Sequence, residues 1–262
     1  MHILITNDDG IMAPGLAVLY GLATELAGPQ GEVWTVAPQS EQSGVGHCIS
    51  YTKPVLVHQY EPRKFAVEGS PADCVLAGLN NLMPKQPDLV LSGINKGNNS
   101  AENTLYSGTI GAAMEAALAG IPAIAMSQFY GPKNSELENS FEASNNHGLV
   151  AIKACLKAGF TRAHDYALFY NINFPPVPAL GVLGIKSVAQ GYRGDGAFGV
   201  HATTAPNGRK FLFMHGRPQQ APTKNGTDAA ANLAGYVSIT PMRANLTAQD
   251  QLEHLAQTLA EL

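Results

Sequence analysis

The chain has 262 residues, of which 45% are hydrophobic and 14% charged, and a formal net charge of −4. This length fits one large α/β domain, and the low charged fraction favours an oligomer in which a second subunit covers apolar surface. The absence of a Lys/Arg-rich run argues against duplex nucleic acid as the main partner. No apolar run is long enough to span a membrane, no signal-peptide pattern opens the sequence, and the three cysteines form no CxxC pair, so we expect a cytoplasmic protein.

The first half of the sequence alternates between strand and helix patterns. Residues 2–6 form an apolar run, residues 14–27 carry leucines at helical spacing, and residues 32–37 form a second apolar run. This βαβ unit predicts parallel strands joined by a right-handed crossover. The elements predicted next are strands at 55–60 and 65–68, a helix at 70–82, a core strand at 88–91, a polar loop at 93–106, a helix at 107–119 and a strand at 123–127.

The second half is less regular. We predict a helix at 142–158, a strand at 167–174, a strand at 236–240 and a terminal amphipathic helix at 247–262. Strands at 182–190 and 211–215 flank a glycine-rich stretch, residues 192–208, where we expect a hairpin or arm. The sequence therefore predicts a single α/β domain over residues 1–262, with a mostly parallel sheet flanked by helices. Its core covers about residues 1–180, and an extension with a hairpin and a helix covers about residues 181–262.

The first candidate site is the acidic pair Asp8 and Asp9, which directly follows the first strand. Ligands bind at this end of the strands in doubly wound sheets. Two adjacent carboxylates repel each other, and a hard divalent cation such as Mg²⁺ or Mn²⁺ would offset that repulsion. Taken alone, the NDDG sequence is equally compatible with an ordinary Asp-Gly turn.

Three further polar segments are predicted at the same edge of the sheet. Ser43, in the loop after the second strand, and Asn95, after the third core strand, could give neutral oxygen ligands to a cation. Ser107, Gly108 and Thr109 begin a helix, whose free N–H groups could bind phosphate. Each segment alone is better explained as a loop, a turn or a helix cap. Together they predict a metal site beside an anion site, which suits metal-assisted phosphate hydrolysis.

Other classes of site are weakened by the sequence. Residues 194–199 match GxGxxG, but no early βαβ unit surrounds them, so we reject a dinucleotide fingerprint. There is no GxxxxGK[ST] and no GxSxG, which argues against a P-loop NTPase and a serine hydrolase. The histidines lack zinc-site spacing. His47 is interpreted as an ordinary loop residue rather than a proton donor.

These segments resemble the SurE family of stationary-phase survival proteins over nearly the whole chain. The matching segments are NDDG at 7–10, APG at 13–15, AP at 37–38 with SG at 43–44, GSPADCV at 69–75, SGIN at 92–95, YSGT at 106–109, YNINFP at 170–175, TD at 227–228 and GYVSITP at 235–241. The resemblance implies a Rossmann-like fold and a 5′/3′-nucleotidase that acts on nucleoside monophosphates and, in some members, on short polyphosphate.

The resemblance also implies residue roles. It implies one Mg²⁺ or Mn²⁺ per subunit bound by Asp8, Asp9, Ser43 and Asn95, and a phosphate held by Asn95 and the segment Ser107 to Thr109. It implies a homodimer or homotetramer in which the C-terminal hairpin or helix exchanges with a neighbour.

The sequence departs from the family pattern in two loops. Residues 39–42 (QSEQ) lack the arginine and asparagine expected there, and Ala101 and Glu102 replace an expected glycine and aspartate. The first departure motivates an alternative hypothesis, a nucleotide-binding or sensing module with weak turnover.

Overall fold

The computed structural model describes residues 1–131, 133–161, 166–194 and 196–262 of the chain. The strands are β1 (His2–Thr6), β2 (Glu32–Pro38), β3 (Val57–Glu61), β4 (Lys64–Val67), β5 (Leu89–Lys96), β6 (Ala123–Gln128), β7 (Phe169–Phe174), β8 (Ile185–Ser187), β9 (Phe198–Thr204), β10 (Lys210–Gly216) and β11 (Val237–Met242). The α-helices are α1 (Pro14–Ala27), α2 (Pro71–Ala77), α3 (Gly108–Leu118), α4 (Glu142–Ala158), α5 (Asp228–Leu233) and α6 (Leu252–Ala260).

A nine-stranded sheet in the order β3-β4-β2-β1-β5-β6-β7-β11-β8 forms the centre of the molecule. Strands β4, β2, β1, β5, β6 and β7 run parallel, whereas β3 and β11 are antiparallel to their neighbours β4 and β7. Helices α1 and α4 pack on one face of the sheet, and α2 and α3 pack on the other. The predicted α/β fold with a mostly parallel sheet is confirmed.

Close packing on both faces fixes the edge where the parallel strands end. At Gly15 in α1, an added Cβ would lie 1.9 Å from the carbonyl oxygen of Ile94 in β5. Only glycine therefore allows α1 to cross the sheet at this depth. The α1–β5 contact holds the end of β5 next to the turn that follows β1.

Several predicted elements differ from the observed ones. The core strand predicted at 88–91 extends to Lys96, because β5 bulges after Ser92 and then resumes its pairing with β6. The polar loop predicted from 93 is correspondingly shorter and contains a 3₁₀ turn, Ala101–Leu105. The helix predicted at 70–82 changes after Ala77 into a π-helical turn, Gly78–Leu82. The strand predicted at 182–190 is reduced to β8, and α5 was not predicted.

The C-terminal part divides into elements that join the main sheet and elements that project from it. Strand β11 pairs with β7 and β8, whereas β9 and β10 form a separate antiparallel hairpin. The expected hairpin is confirmed, although β9 lies within the glycine-rich stretch rather than before it.

Residue 195 of the rejected GxGxxG match lies outside the described residues. In the part of the chain that the structure describes, no helix is both long and apolar enough to span a membrane.

Candidate metal and phosphate site

Asp8 is the second residue after β1, and only 4% of it is exposed. Its Oδ1 accepts a 2.6 Å hydrogen bond from Thr109 Oγ1 in α3. A Cβ added to Gly108 would lie 3.0 Å from Asp8 Cβ and 3.0 Å from Pro71 Cγ, the first residue of α2. The glycine therefore lets the N-terminus of α3 approach the carboxylate, as the sequence predicted for these two segments.

Burial perturbs both carboxyl groups of the acidic pair. The pKa of Asp8 is raised to about 7 by burial, and the neighbouring charge of Asp9 adds to the rise, although hydrogen bonds from Thr109 oppose it. The pKa of Asp9 is also raised, chiefly by burial and then by the charge of Glu41, against the backbone N–H of Lys96. A divalent cation between the carboxylates would favour their charged forms and offset this cost.

Asp9 and Asn95 are brought together by the bulged end of β5. The backbone N–H of Lys96 donates a 3.0 Å hydrogen bond to Asp9 Oδ2, and Asn95 is the residue before it. The register between β5 and β6 shifts between Ser92 and Asn95. Such a bulge bends the strand and changes the direction in which its side chains point. Asn95 Nδ2 donates to the carbonyl of Gly97 at 2.9 Å, so its amide oxygen is the atom available to a cation.

The loop after β2 lies next to the acidic pair. The backbone N–H of Gln42 donates to the Asp8 carbonyl at 2.7 Å, which anchors the loop beside the site. Ser43 is exposed, and its hydroxyl donates to Glu41 Oε1 at 2.7 Å. This bond uses the hydroxyl hydrogen and leaves the oxygen lone pairs free for a cation, and the role of Ser43 as a ligand stays a prediction. Sequence reasoning assigned no role to Glu41, a third carboxylate close enough to raise the pKa of Asp9.

The predicted phosphate segment forms the N-terminus of α3. Ser107 Oγ caps the helix by accepting a 3.1 Å hydrogen bond from the Ile110 N–H. The Thr109 hydroxyl is fully buried and donates to Asp8. Because both side-chain hydroxyls have protein partners, the N–H groups at the start of the helix are the groups best placed to meet a phosphate. The assignment of Ser107, Gly108 and Thr109 to phosphate stays a prediction.

A buried amide network behind Thr109 was missed by sequence reasoning. Asn99 Nδ2 donates to Thr109 Oγ1 at 3.3 Å and to Ser127 Oγ at 2.8 Å. Asn173 Oδ1 accepts from the Asn99 N–H at 2.7 Å, and Asn171 Nδ2 donates to the Asn99 carbonyl at 2.8 Å. The available signal was a pair of asparagines two residues apart in an apolar strand, which places both on one face of the sheet.

The departure at residues 101 and 102 has structural partners. Ala101 has a φ of +52°, the left-handed conformation that favours glycine, and its N–H donates to both Asp228 carboxylate oxygens at 3.1 and 3.2 Å. Glu102 accepts from the backbone N–H of Arg193 and pairs with its guanidinium at 3.4 Å. Burial would raise the pKa of Glu102, but backbone N–H groups and the charge of Arg193 hold it below its ordinary value.

The donor chemistry at the site fits a hard cation. Among the described residues, no cluster of three or more His, Cys, Asp or Glu side chains could hold a metal ion. A cation at Asp8 and Asp9 would therefore need neutral oxygens, which Asn95 and Ser43 could supply. Carboxylate, amide and hydroxyl oxygens suit Mg²⁺ or Mn²⁺ better than zinc. His47 pairs with Glu115 at 2.6 Å, and its interpretation as an ordinary loop residue stays a prediction.

Comparisons with known proteins show the family of the chain. A family model described as "Survival protein SurE" matches residues 3–196. A 5'-nucleotidase SurE from Jannaschia sp. (strain CCS1) is 61% identical over 99% of this chain and 100% of its own length. A 5'-nucleotidase SurE from Roseobacter denitrificans is 62% identical over 98% of both chains. The crystal structure of the SurE protein from Aquifex aeolicus superposes with a TM-score of 0.80 at 34% identity, covering 99% of this chain and 100% of that one. The chain therefore belongs to the SurE family of survival proteins.

Proposed function

We propose that the chain is a divalent-metal-dependent phosphomonoesterase that hydrolyses nucleoside 5′-monophosphates to nucleoside and phosphate. The observation that carries this proposal is the contact between the buried Asp8 carboxylate and the N-terminus of α3, through the 2.6 Å bond from Thr109. A pair of acids that needs a cation thus adjoins a helix end that favours an anion. Relatives about 60% identical that are named 5'-nucleotidase SurE support the same activity.

In this proposal Asp8 and Asp9 are the catalytic residues, and Asp8, Asp9, Ser43 and Asn95 hold one Mg²⁺ or Mn²⁺ per subunit. When bound, the cation supplies a Lewis acid and lowers the pKa of a bound water. Asn95, Ser107, Gly108 and Thr109 form the phosphate subsite. Thr109 fixes the Asp8 carboxylate through its hydroxyl, and the Lys96 N–H fixes that of Asp9.

The sensing alternative is not favoured, because the similar curated relatives are named as nucleotidases. Nucleoside 3′-monophosphates and short polyphosphate stay predictions from the family resemblance, as does the cytoplasmic location inferred from the sequence.

The C-terminal extension is proposed to serve oligomerisation of a single SurE-like domain, with a core over about residues 1–180 and the extension over about 181–262. The side chains of β10 and α6 are exposed throughout in the isolated chain. Large apolar residues stand among them, and covering such a surface with another subunit is favourable. A homodimer or homotetramer is expected. The exposed large apolar residues in these two elements are Phe211, Leu212, Phe213, Met214, Leu252, Leu255 and Leu259.

The test is phosphate release from a panel of nucleoside 5′- and 3′-monophosphates with Mg²⁺, Mn²⁺ or a chelator. We expect release from the 5′-monophosphates with either metal and none with the chelator. Saturable nucleotide binding without release would contradict the proposal and support the sensing hypothesis. Release that persists in chelator would contradict the metal requirement.

A further inference from the structure

A second feature of the carboxyl edge of the sheet lies beside the acidic pair and has no role in the site described above. It is a groove of about 590 Å³ between the loop of residues 39–53 and the turn that joins β4 to α2. Its volume lies within the range of about 300–1,000 Å³ that is typical of small-molecule sites. We refer to it as the β2–β4 groove.

Two contacts place this groove next to the phosphate subsite. At one end, Gln42 lines the groove while its backbone N–H bonds the Asp8 carbonyl at 2.7 Å. At the other, Ser70 lines the groove and precedes Pro71, whose Cγ would be 3.0 Å from a Cβ added to Gly108. A ligand with its phosphate at Gly108 can therefore extend into the groove.

The wall of the groove is held in place by hydrogen bonds to the start of α2. Ser70 Oγ donates to the Cys48 carbonyl at 2.5 Å, and Asp73 Oδ1 accepts from the Ser50 N–H at 2.9 Å. The backbone N–H of Gln39 donates to the Val67 carbonyl at 2.8 Å and ties the loop to β4. Because these bonds tie the loop to β4 and α2 through the protein's own groups, a ligand in the groove meets a wall that is already held in place.

The chemistry of the lining selects the kind of ligand. Val67 provides a buried apolar floor, while the side chains of Gln39 and Gln42 each offer an amide donor and an amide acceptor. The single cation, Lys53, is balanced by Glu68, so the groove carries no net charge for a second anion. A neutral, planar group with donors and acceptors on its edge matches this lining, and amides that can reorient would accept several such groups.

We propose that the β2–β4 groove holds the nucleoside of a nucleoside monophosphate whose phosphate lies at the N-terminus of α3. This proposal rests on the proposed function and assigns the substrate specificity to the QSEQ loop and the wall opposite it. A larger groove of about 690 Å³ runs along α1 from Ile11 and Met12 to Gly31 and Glu32 at the start of β2. Its lining contains neither Gln42 nor Ser70, the two residues that join the β2–β4 groove to the phosphate subsite.

The first test fills the groove with a bulky side chain. Thr52 is exposed and lines the groove, so Thr52→Trp should fold normally and raise KM for adenosine and uridine 5′-monophosphates at least tenfold. KM for glycerol 2-phosphate, which has no nucleoside, should change less than twofold. The matched control is Thr24→Trp, an exposed threonine in the groove along α1. Equal effects of Thr52→Trp on nucleotides and glycerol 2-phosphate would overturn the proposal.

The second test does not depend on turnover, so it separates failure of this proposal from failure of the proposed nucleotidase activity. Cys48 is exposed on the groove wall, whereas Cys74 and Cys155 are buried and burial raises the pKa of both thiols. N-ethylmaleimide should therefore label Cys48 first, as read by mass spectrometry. Adenosine with inorganic phosphate should slow the labelling at least threefold, and inorganic phosphate alone should not. Equal labelling rates in both cases would overturn the proposal.

Discussion

The carboxyl edge of the sheet and the C-terminal hairpin differ in which groups they bury and which they expose. At the edge, polar groups that usually face water are buried, and the side chains of Asp8, Asn99 and Thr109 among them are hydrogen-bonded to other protein groups. On the hairpin, apolar groups that usually lie inside, such as Phe211 and Phe213, face solvent. Buried polar groups are tolerated when they are paired, and exposed apolar groups are favourable when another surface covers them. We therefore expect small polar ligands to bind at the edge and another protein surface to bind the hairpin.

The largest effect is expected at the acidic pair. Asp9→Asn keeps the size of the side chain and removes a proposed anionic ligand, so kcat/KM should fall at least about a thousandfold while the circular dichroism spectrum stays that of the wild type. Glu41→Gln is the matched control, because it removes a neighbouring carboxylate that is not a proposed ligand. Near-normal phosphate release by folded Asp9→Asn would contradict the proposed role of Asp9.

A second effect concerns stability of the metal-free protein. The folded pKa of Asp8, about 7, lies above the ordinary value of an unfolded aspartate, so the folded state holds a proton that the unfolded state has lost. Stability should therefore fall as pH rises from 5 to 7.5, on the order of a hundredfold in the unfolding equilibrium constant. Denaturant titrations in chelator measure this change. Asp8→Asn should remove most of it, and an unchanged slope in that variant would contradict the assignment to Asp8.

Added metal should oppose the loss of stability at higher pH. Because a cation favours the charged carboxylate, Mn²⁺ should stabilise the wild type more at pH 7.5 than at pH 5. Thermal unfolding with and without Mn²⁺ at the two pH values measures the difference. If Mn²⁺ stabilised Asp8→Asn as much as the wild type, the site would lie elsewhere.

A third, smaller effect tests the link between the two regions. Arg193 precedes the hairpin, its side chain is 5% exposed, and it donates to Asn98 Oδ1 and the Ser100 carbonyl at 3.2 and 3.1 Å besides pairing with Glu102. These residues lead into the phosphate segment. Arg193→Met should raise KM and the inhibition constant of inorganic phosphate about tenfold, because the partly buried carboxylate of Glu102 loses its partner. The apparent metal affinity should stay unchanged.

The control for this effect is Arg209→Met, an exposed arginine in the turn of the hairpin. Adding Glu102→Gln to Arg193→Met should cost less than the two single changes together, since the unpaired charge is then removed. A loss of stability with unchanged phosphate inhibition would mean that Arg193 only supports the fold.

How far the sequence predicts these features depends on whether the signal is local. Apolar periodicity located β1, α1 and β2 closely, and the strand ends after β1 and β2 placed Asp8 and Ser43 at one edge. The bulge that places Asn95 within β5 has no signal in the neighbouring sequence, because it depends on how β5 pairs with β6. The partners of Glu102 and Asp228 are also distant in sequence, since Glu102 contacts Arg193 and Asp228 contacts Ala101. Such contacts follow from the tertiary fold alone.

The smallest effect on chemistry is expected in the extension. Leu255 is exposed on α6, in line with Leu252 and Leu259 at helical spacing, so we expect it to lie within an interface between subunits. Leu255→Asp would bury a charge there and should lower the mass measured by light scattering to that of a smaller species. Gln257→Asp introduces the same side chain on the opposite face of the helix and should leave the mass unchanged. Because Leu255 is far in sequence from the site and contributes no proposed ligand, kcat should change less than about twofold. A large loss of kcat at unchanged mass would instead place α6 at the active site.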